Sequence, residues 1–252
     1  MYKKKFFSIV TPSFNRSKFI YQTIKSIHSQ SFKDFEHIIV DGKSTDGTIN
    51  ILKKLKKKYN FKLLIKKDNS MYEAIKYGFE NGNGKYYYWL NSDDFLYDKN
   101  SLLNLYKVLK KKQYQWINGR TAIYNQNDKK LIKWIPLAYP SFIIRNGLNH
   151  DSCWGFIQQE NTVFSSKLYN RVGGINHKFK QAGDYMLWKS FSKYQKLIPI
   201  NVHIGVHRKW DQQLTSELYY KEIGVEKKKI NFFYFFRFLY SMVLYPLVFF
   251  RK

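Results

Sequence analysis

The chain has 252 residues, enough for one compact α/β domain with a full core but too few for two. Its single cysteine, Cys153, excludes an internal disulfide and predicts a reducing compartment. Lys and Arg total 44 against 18 Asp and Glu, so the formal net charge is +26. A charge of this size attracts nucleic acid, anionic lipid or phosphorylated substrates.

The basic residues do not by themselves identify the partner. Much of the excess is lysine in short runs, such as residues 53–58 and 110–112, which is typical of solvated helix faces. The arginine forks and periodic motifs of nucleic-acid modules are missing, so no nucleic-acid partner is predicted. The apolar stretch near the N-terminus is too short for a signal peptide, which predicts a cytoplasmic protein.

The first part of the chain alternates between the period of a strand and the period of a helix, which is typical of βαβ units and a largely parallel sheet. Apolar runs predict strands at residues 6–11, 35–40, 61–65 and 86–90. Helical spacing predicts a helix between each pair, and Ser70 with Glu73 forms the S-x-x-E pattern of a capping box. The predicted fold class is therefore α/β.

The second part has shorter elements. Apolar runs predict strands at residues 114–118, 122–124, 131–135 and 161–164, with a hairpin turn at 125–128. A short helix is predicted at residues 166–172, and a longer one begins at Asp184. The apolar face of that helix is predicted to contain Leu187, Trp188, Phe191 and Tyr194.

Carboxylates follow three of the predicted strands. Asp41 comes directly after the second strand, Asp68 shortly after the third, and Asp93 and Asp94 after the fourth. Because ligands of open parallel sheets bind beyond the carboxyl ends of the strands, we expect these acids to converge on one solvent-accessible rim. A cluster of acids in so basic a protein needs a cation or many hydroxyl groups.

Three motifs follow one another along these strand ends: SIVTPSFN at residues 8–15, IVDGKSTDGT at 39–48 and LNSDD at 90–94. In this order and spacing they closely resemble the family 2 glycosyltransferases of GT-A fold, over roughly residues 6–215. The resemblance implies a Rossmann-like, mostly parallel central sheet flanked by helices. It also implies a metal-dependent enzyme of the hexosyltransferase type that uses a nucleotide-sugar donor.

The resemblance assigns the nucleotide to the first part of the chain. Thr11 and Pro12 are expected to border the base, and Asp41 to accept a hydrogen bond from it. The alternative for Asp41 is a turn residue in an Asp-Gly pair. Asp68 corresponds to a further nucleotide-contacting acid of the family. A helix cap or an exposed loop acid is its alternative, because the residues after it differ from those common in relatives.

Ser92-Asp93-Asp94 resembles the metal-binding DXD signature of the family. A nucleotide diphosphate develops charge as it leaves, and Mg²⁺ or Mn²⁺ bridging its oxygens requires hard carboxylate ligands. The resemblance assigns Asp94 to the metal and Asp93 chiefly to the ribose or the donor sugar. An Asp-Asp pair that begins a helix is the alternative.

The segment at residues 203–215 resembles the end of the family's catalytic domain, where a histidine often completes the metal shell. Trp210 aligns with that histidine here, while His207 lies nearby. His207 is therefore the candidate for a further metal ligand, and a structural histidine is the alternative.

Residues 158–188 resemble the family's acceptor-side segment, in which an acid before Tyr-x-Leu-Trp is the catalytic base. Direct displacement at the anomeric carbon needs a base that takes the proton of the acceptor hydroxyl, on the face opposite the leaving diphosphate. Asp184 fits that role. If Asp184 is only a helix cap, Glu160 is the next candidate.

The resemblance predicts a GT-A catalytic domain at residues 1–216, with a nucleotide-binding half at 1–112 and an acceptor-side half at 113–216, and then a tail at 217–252. Residues 232–250 are almost continuously apolar, but polar residues recur at 3-4-4 spacing on one helix face, and basic residues flank the segment. This pattern favours an amphipathic helix in a membrane interface over one that spans the bilayer. A tail helix packed on the catalytic domain or in a dimer is the alternative.

Together these features predict an inverting glycosyltransferase at the cytoplasmic face of the cell membrane. The expected partners are a nucleotide-sugar donor, with UDP-sugars first, a glycan or lipid-linked acceptor of a surface polysaccharide, and anionic lipid. Inversion is implied by the resemblance and by the presence of one base without a second carboxylate nucleophile. The alternative is a polyanion- or membrane-binding module that keeps a GT-A scaffold without turnover.

Overall fold

The computed structural model describes residues 4–125, 127, 129–133, 138–149, 155–210, 216–224, 236, 239–240 and 242–243. The strands are β1 (Phe7–Ser13), β2 (Phe35–Asp41), β3 (Lys62–Ile65), β4 (Tyr86–Trp89), β5 (Phe95–Leu96), β6 (Trp116–Arg120), β7 (Ala122–Asn125), β8 (Lys130–Lys133), β9 (Thr162–Ser165), β10 (Ile198–His203) and β11 (Gly205–Lys209). The helices are α1 (Ile20–His28), α2 (Thr48–Lys56), α3 (Met71–Glu80), α4 (Ser101–Lys112), α5 (Ser141–Arg145), α6 (Ser166–Arg171), α7 (Gly183–Phe191) and α8 (Ser216–Ile223).

The described strands form two sheets. The larger has seven strands in the order β10-β6-β9-β4-β1-β2-β3, and the smaller has four in the order β5-β11-β7-β8. Strands β1 to β4 run parallel to their neighbours in this group, whereas β9 is antiparallel to both β4 and β6. The predicted α/β fold with a mostly parallel central sheet and flanking helices is confirmed.

Strand β1 is longer than predicted. It continues past Thr11 through Pro12 and Ser13, in parallel register with the end of β2. On its other side β1 pairs with β4 only as far as Val10. Pro12, which has no N–H to donate, therefore lies where the strand has already lost one neighbour, a position that a sheet tolerates.

Helix α3 begins at the predicted capping box. The Ser70 side chain accepts a hydrogen bond from the backbone N–H of Glu73 at 3.2 Å. The Glu73 carboxylate in turn accepts from the backbone N–H of Asn69 at 3.0 Å, one residue earlier than in the usual box. These bonds fix the loop that carries Asp68 to the start of α3.

Three stacked tryptophans form the centre of the core on one face of the large sheet. The Trp188 ring on α7 lies 6.0 Å from that of Trp89 on β4 and 5.7 Å from that of Trp116 on β6, measured between centroids. Each of the three side chains is at most 1% exposed. Burial of rings this large is a major source of stability, so α7 is firmly anchored on the sheet.

The apolar face of α7 differs from the prediction at one residue. Leu187, Trp188 and Phe191 are buried as expected, but the helix ends at Phe191. Tyr194 lies beyond that end, is 44% exposed, and packs under the guanidinium group of Arg171 at 4.2 Å. The prediction that Tyr194 belongs to the apolar face of α7 is wrong, because the helix ends at Phe191.

The short elements of the second part agree with the predicted order. The β7–β8 hairpin is present, with antiparallel pairing between the two strands. Helices α5 and α8 and strands β5, β10 and β11 were not predicted. Helix α8 packs Tyr219 and Tyr220 in a cluster with Ala182 and Tyr185. The domain boundary at residue 216 stays a prediction.

The predicted interface helix at residues 232–250 lies outside the described residues, apart from five positions. Three of these, Phe236, Leu239 and Val243, are exposed apolar side chains. Among the helices that the structure describes, none combines the length and the apolar character needed to cross a membrane.

Candidate active site

A cleft of about 690 Å³ lies beyond the carboxyl ends of β1, β2 and β4. This is the edge at which open α/β sheets bind ligands, as the sequence analysis expected. The structure brings six of the predicted site residues together in its lining: Pro12, Asp68, Asp93, Asp94, Asp184 and His207.

Thr11 and Asp41 are the two predicted site residues that do not line the cleft. Thr11 is fully buried, and its Oγ1 atom lies 3.0 Å from Nε2 of His37. Both carboxylate oxygens of Asp41 accept hydrogen bonds from Ser44, at 2.7 Å from its backbone N–H and 2.8 Å from its hydroxyl. Asp41 thus stabilises the turn after β2, and a contact of either residue with a base stays a prediction.

Asp68 lies against the same turn. A Cβ atom at Gly42 would be only 3.0 Å from Oδ2 of Asp68, so the glycine permits this close approach. Burial, together with the charges of Glu73 and Asp41, raises the pKa of Asp68 to about 6. A carboxylate whose ionisation is disfavoured in this way is stabilised by a hydrogen-bond donor from a ligand.

Asp93 is held by two side chains at the mouth of the cleft. The indole N–H of Trp210 donates to Oδ2 of Asp93 at 2.9 Å, and Nε of Arg16 lies 3.8 Å from the same oxygen. The Arg16 guanidinium group also stacks over the Trp210 ring at 5.1 Å from its centroid. Trp210 therefore binds the first aspartate of the pair.

Asp94 lies on the floor of the cleft and is only 1% exposed. The backbone N–H of Arg208 donates to its Oδ1 at 2.9 Å, and the Thr23 hydroxyl donates to its carbonyl at 2.6 Å. The expectation of a solvent-accessible rim is wrong for Asp94, because β11 covers it. Burial, followed by the negative charges of Asp93 and Glu160, raises the pKa of Asp94 well above its usual range.

Asp94, Glu160 and His207 form a group that fits a divalent cation. Each offers one ligand atom, and these atoms all lie within 4.8 Å of one another. Oδ1 of Asp94 is 3.6 Å from Nδ1 of His207, and Glu160 is 3% exposed. Two buried carboxylates this close together are unfavourable unless a cation or a proton compensates. Carboxylate and imidazole ligands suit Mn²⁺, and the carboxylates suit Mg²⁺.

Asp184 is placed by contacts between α7 and α3. The Tyr72 hydroxyl lies 2.8 Å from the carbonyl oxygen of Gln181 and 3.2 Å from Oδ1 of Asp184, so it can donate to either. A Cβ atom at Gly183 would meet the Tyr72 ring at 2.7 Å, so only glycine fits beside that ring. The stacked Trp188, one turn further along α7, holds the helix in this position.

The ionisation of Asp184 is shifted toward neutral pH. Burial raises the pKa of its carboxyl group to about 6, although hydrogen bonds from the Tyr185 backbone and the Tyr72 hydroxyl favour the charged form. A carboxylate with this pKa is ionised at pH 7 and is more basic than an exposed aspartate. That combination suits a general base.

Near the ends of β1 and β4, two buried polar atoms on the cleft lack a partner. Within the part of the chain that the structure describes, Ser13 Oγ and Asn91 Oδ1 have no hydrogen-bond partner, and both residues line the cleft. Buried polar atoms are normally paired, so a polar ligand is the expected partner. Phe14 adds an aromatic ring that is 55% exposed. All three belong to the motifs quoted above, although the sequence analysis did not single them out.

The model of the family described as Glycosyl transferase family 2 matches residues 8–173 of this chain. The chain belongs to glycosyl transferase family 2. The resemblance found in the three motifs is therefore confirmed. Asp184 and His207 lie beyond the matched residues, so their roles depend on the geometry described here.

Two curated proteins illustrate the similarity of this family 2 chain. The poly(ribitol-phosphate) beta-N-acetylglucosaminyltransferase TarP of Staphylococcus aureus is 32% identical over 120 residues, which cover 46% of this chain and 36% of that protein. A dolichyl N-acetyl-alpha-D-glucosaminyl phosphate 3-beta-D-2,3-diacetamido-2,3-dideoxy-beta-D-glucuronosyltransferase of Methanococcus voltae is 32% identical over 136 residues, covering 50% and 41%. The chain thus matches less than half the length of each relative.

Solved structures share the fold. The S. aureus TarS 1-349 structure in complex with UDP-GlcNAc has a TM-score of 0.67 at 16% identity and covers 94% of this chain and 74% of that one. The mannosyltransferase PcManGT from Pyrobaculum calidifontis, in complex with GDP-Man and Mn²⁺, has a TM-score of 0.63 at 15% identity, covering 98% and 72%. These likenesses agree with the GT-A fold that the motifs implied.

The raised pKa values of two carboxyl groups give a direct test of the site geometry. In a titration followed by carboxyl ¹³C NMR, Asp68 and Asp184 are expected to titrate near pH 6. Asp46 is the internal control: although burial raises its pKa, hydrogen bonds from Thr48 and Ser17 outweigh this and lower it to about 2. Midpoints close to the ordinary value of 3.8 for Asp68 and Asp184 would contradict the cleft described here.

Proposed function

We propose that this family 2 protein is an inverting, metal-dependent hexosyltransferase that moves a sugar from a nucleotide-diphosphate donor to a glycan or lipid-linked acceptor in surface-polysaccharide synthesis. The observation that carries the proposal is the arrangement of one cleft. Asp94 and His207, two members of the Asp94–Glu160–His207 group, line it together with Asp184, a separate carboxylate with a raised pKa. Sugar transfer needs positive charge to stabilise the leaving diphosphate and a base to take the proton of the acceptor hydroxyl, and the two must lie close together.

The donor is proposed to bind along the ends of β1, β2 and β4. Pro12 and Phe14 offer apolar surface for a base, while Ser13 and Asn91 offer the unpaired polar atoms already described. Two similar folds were solved with a nucleotide sugar, one with UDP-GlcNAc and one with GDP-Man. The similarity to TarP and to the UDP-GlcNAc complex of TarS favours a UDP-sugar.

Asp94, Glu160 and His207 are the residues proposed to hold the cation. Mg²⁺ or Mn²⁺ bound there supplies positive charge to the diphosphate as it leaves. Asp93 directly precedes Asp94 in the chain, which is consistent with a donor whose ribose or sugar contacts Asp93. The Arg16 and Trp210 side chains that hold Asp93 then close the same end of the cleft.

The proposed reaction is one displacement. The acceptor hydroxyl gives its proton to Asp184 while its oxygen attacks the anomeric carbon of the donor sugar. The bond from that carbon to the diphosphate oxygen breaks on the opposite face, and its electron pair leaves with the nucleoside diphosphate. Because attack and departure lie on opposite faces, the anomeric configuration inverts. Asp184 must be ionised, so transfer is expected to rise as the pH increases through about 6.

The proposed acceptor is an anionic glycan or lipid-linked sugar at the membrane surface. The names of the two relatives describe action on poly(ribitol-phosphate) and on a dolichyl phosphate-linked sugar, both anionic. The net charge of +26 suits an anionic acceptor at an anionic membrane surface. The alternative of a scaffold without turnover is disfavoured, because Asp93, Asp94 and Asp184 all line one cleft.

The donor and metal assignments are tested together by thermal unfolding. In a panel of UDP-, dTDP- and GDP-sugars with Mn²⁺, one nucleotide class is expected to raise the Tm, because it binds only the folded chain. Asp94→Asn keeps the shape and removes the charge, so it is expected to abolish that shift. Asp34→Asn changes a half-buried aspartate outside the cleft and should keep the Tm shift. A full shift in Asp94→Asn, or an equal shift with chelator in place of Mn²⁺, contradicts the metal site.

The base is tested by Asp184→Asn, which keeps the size of the side chain and removes its basicity. Sugar transfer is expected to fall by roughly 10²- to 10⁴-fold, the usual contribution of a general base. Donor affinity, measured by calorimetry with Mn²⁺ present, should hardly change, because the residue acts in the transition state. Near wild-type transfer by Asp184→Asn would mean that Asp184 is only a helix residue and that the base lies elsewhere.

A further inference from the structure

Helix α8 forms one wall of the cleft, on the side of Asp184. Tyr219 lines the cleft together with Phe156, and the two rings meet edge to face at 5.1 Å between centroids. Tyr219 also contacts Tyr185 on α7, at 5.9 Å between centroids. The wall therefore presents aromatic rings next to the residue proposed as the base.

The Tyr219 hydroxyl is buried without a partner. The side chain is 9% exposed, and its oxygen makes no hydrogen bond within the described residues. Burial, with a further contribution from the nearby Asp184 carboxylate, raises the pKa of this hydroxyl. It therefore stays protonated and can donate or accept one hydrogen bond. An unpaired hydroxyl in a ligand cleft is most simply explained by a polar ligand that pairs with it.

The same helix holds the loop in front of Asp184. The Glu222 carboxylate accepts three hydrogen bonds from consecutive backbone N–H groups, at 2.7 Å from Lys180, 2.9 Å from Gln181 and 2.9 Å from Ala182. Hydrogen bonds to a charged carboxylate are stronger than neutral ones. Lys180 and Gln181 line the cleft, so Glu222 fixes the wall that leads to Asp184.

We propose that α8 builds the acceptor subsite, in which the Tyr219 hydroxyl and the Phe156 ring bind a carbohydrate and Glu222 positions the loop that leads to the base. Aromatic walls with a few convergent polar groups are what a sugar ring or a polyol requires, because such a ligand carries both C–H surface and hydroxyl groups. This inference rests on the proposed transferase function and adds the ligand class and the residues of the acceptor side.

The test uses the full chain and the donor identified by thermal unfolding. Release of the nucleoside diphosphate is measured in water alone, then with free monosaccharides and with ribitol added in turn. At least one of these is expected to increase the rate above hydrolysis. Tyr219→Phe removes only the hydroxyl, so the KM for that sugar or polyol should rise roughly 3- to 10-fold, the usual effect of one hydrogen bond, with the donor Kd unchanged.

Tyr220→Phe is the matched control for Tyr219. Tyr220 lies on the same helix, is also buried, and belongs to the same aromatic cluster, but it does not line the cleft. It should leave the KM of the added sugar or polyol unchanged. Equal effects of the two substitutions, or no effect of either, would overturn the role of the Tyr219 hydroxyl.

The positioning role of Glu222 is tested by two substitutions of increasing severity. Glu222→Gln keeps one accepting oxygen and Glu222→Ala keeps none, so kcat is expected to fall in the order wild type, Gln, Ala at constant donor Kd. Hydrogen exchange at the amides of residues 180–182 should rise in the same order. Lys221→Ala, an exposed neighbour on α8, is the control. Unchanged kcat in Glu222→Ala would overturn the positioning role.

The outcomes separate this inference from the proposed function. If no nucleotide sugar binds, the transferase proposal fails. If a donor binds and is slowly hydrolysed, but neither the monosaccharides nor ribitol increase the rate, the transferase proposal stands and the carbohydrate subsite is wrong.

Discussion

The architecture of the cleft depends on carboxylates that are buried at the edge of the sheet where the parallel strands end. Asp94 and Glu160 lie side by side and almost without solvent, and burial raises the pKa of both. Such a pair is unfavourable without compensation, because burial and like charge both oppose ionisation. The Arg208 backbone N–H supplies part of it. The proposed Mg²⁺ or Mn²⁺ would supply the remainder.

Both parts of the chain contribute residues to the cleft. The βαβ part supplies the strand ends on which a nucleotide can lie, and its capping box fixes the loop of Asp68. The second part supplies Asp184, which the Trp188 stack and the Tyr72 hydroxyl hold in place. The general base proposed here must be positioned to within a fraction of an ångström, and rigid, buried supports of this kind provide that.

Local sequence pattern predicted β1 to β4, β6 to β9, most helices and the meeting of Asp68, Asp93 and Asp94 at one cleft, because these follow from period, capping and the rule for parallel sheets. It did not predict β5, β10 or β11. It could not predict that Asp94 is covered by β11, because Arg208 lies 114 residues away in the chain. The hydrogen bond from Trp210 to Asp93 joins residues 117 positions apart and could not be predicted for the same reason. The sequence pointed to Glu160 only as an alternative base and did not single out Tyr219, so the tertiary structure was needed to show that Glu160 lies beside Asp94 and that Tyr219 lines the cleft.

The most direct test of the account is a crystal structure with Mn²⁺ and the nucleoside diphosphate of the donor, with the metal located by its anomalous scattering. We expect one strong peak bonded to Asp94 and to at least one of Glu160 and His207, in contact with the diphosphate, and the nucleotide base beside Pro12. A diphosphate bound in the cleft with no metal at Asp94, or a metal bound only elsewhere on the surface, would contradict it.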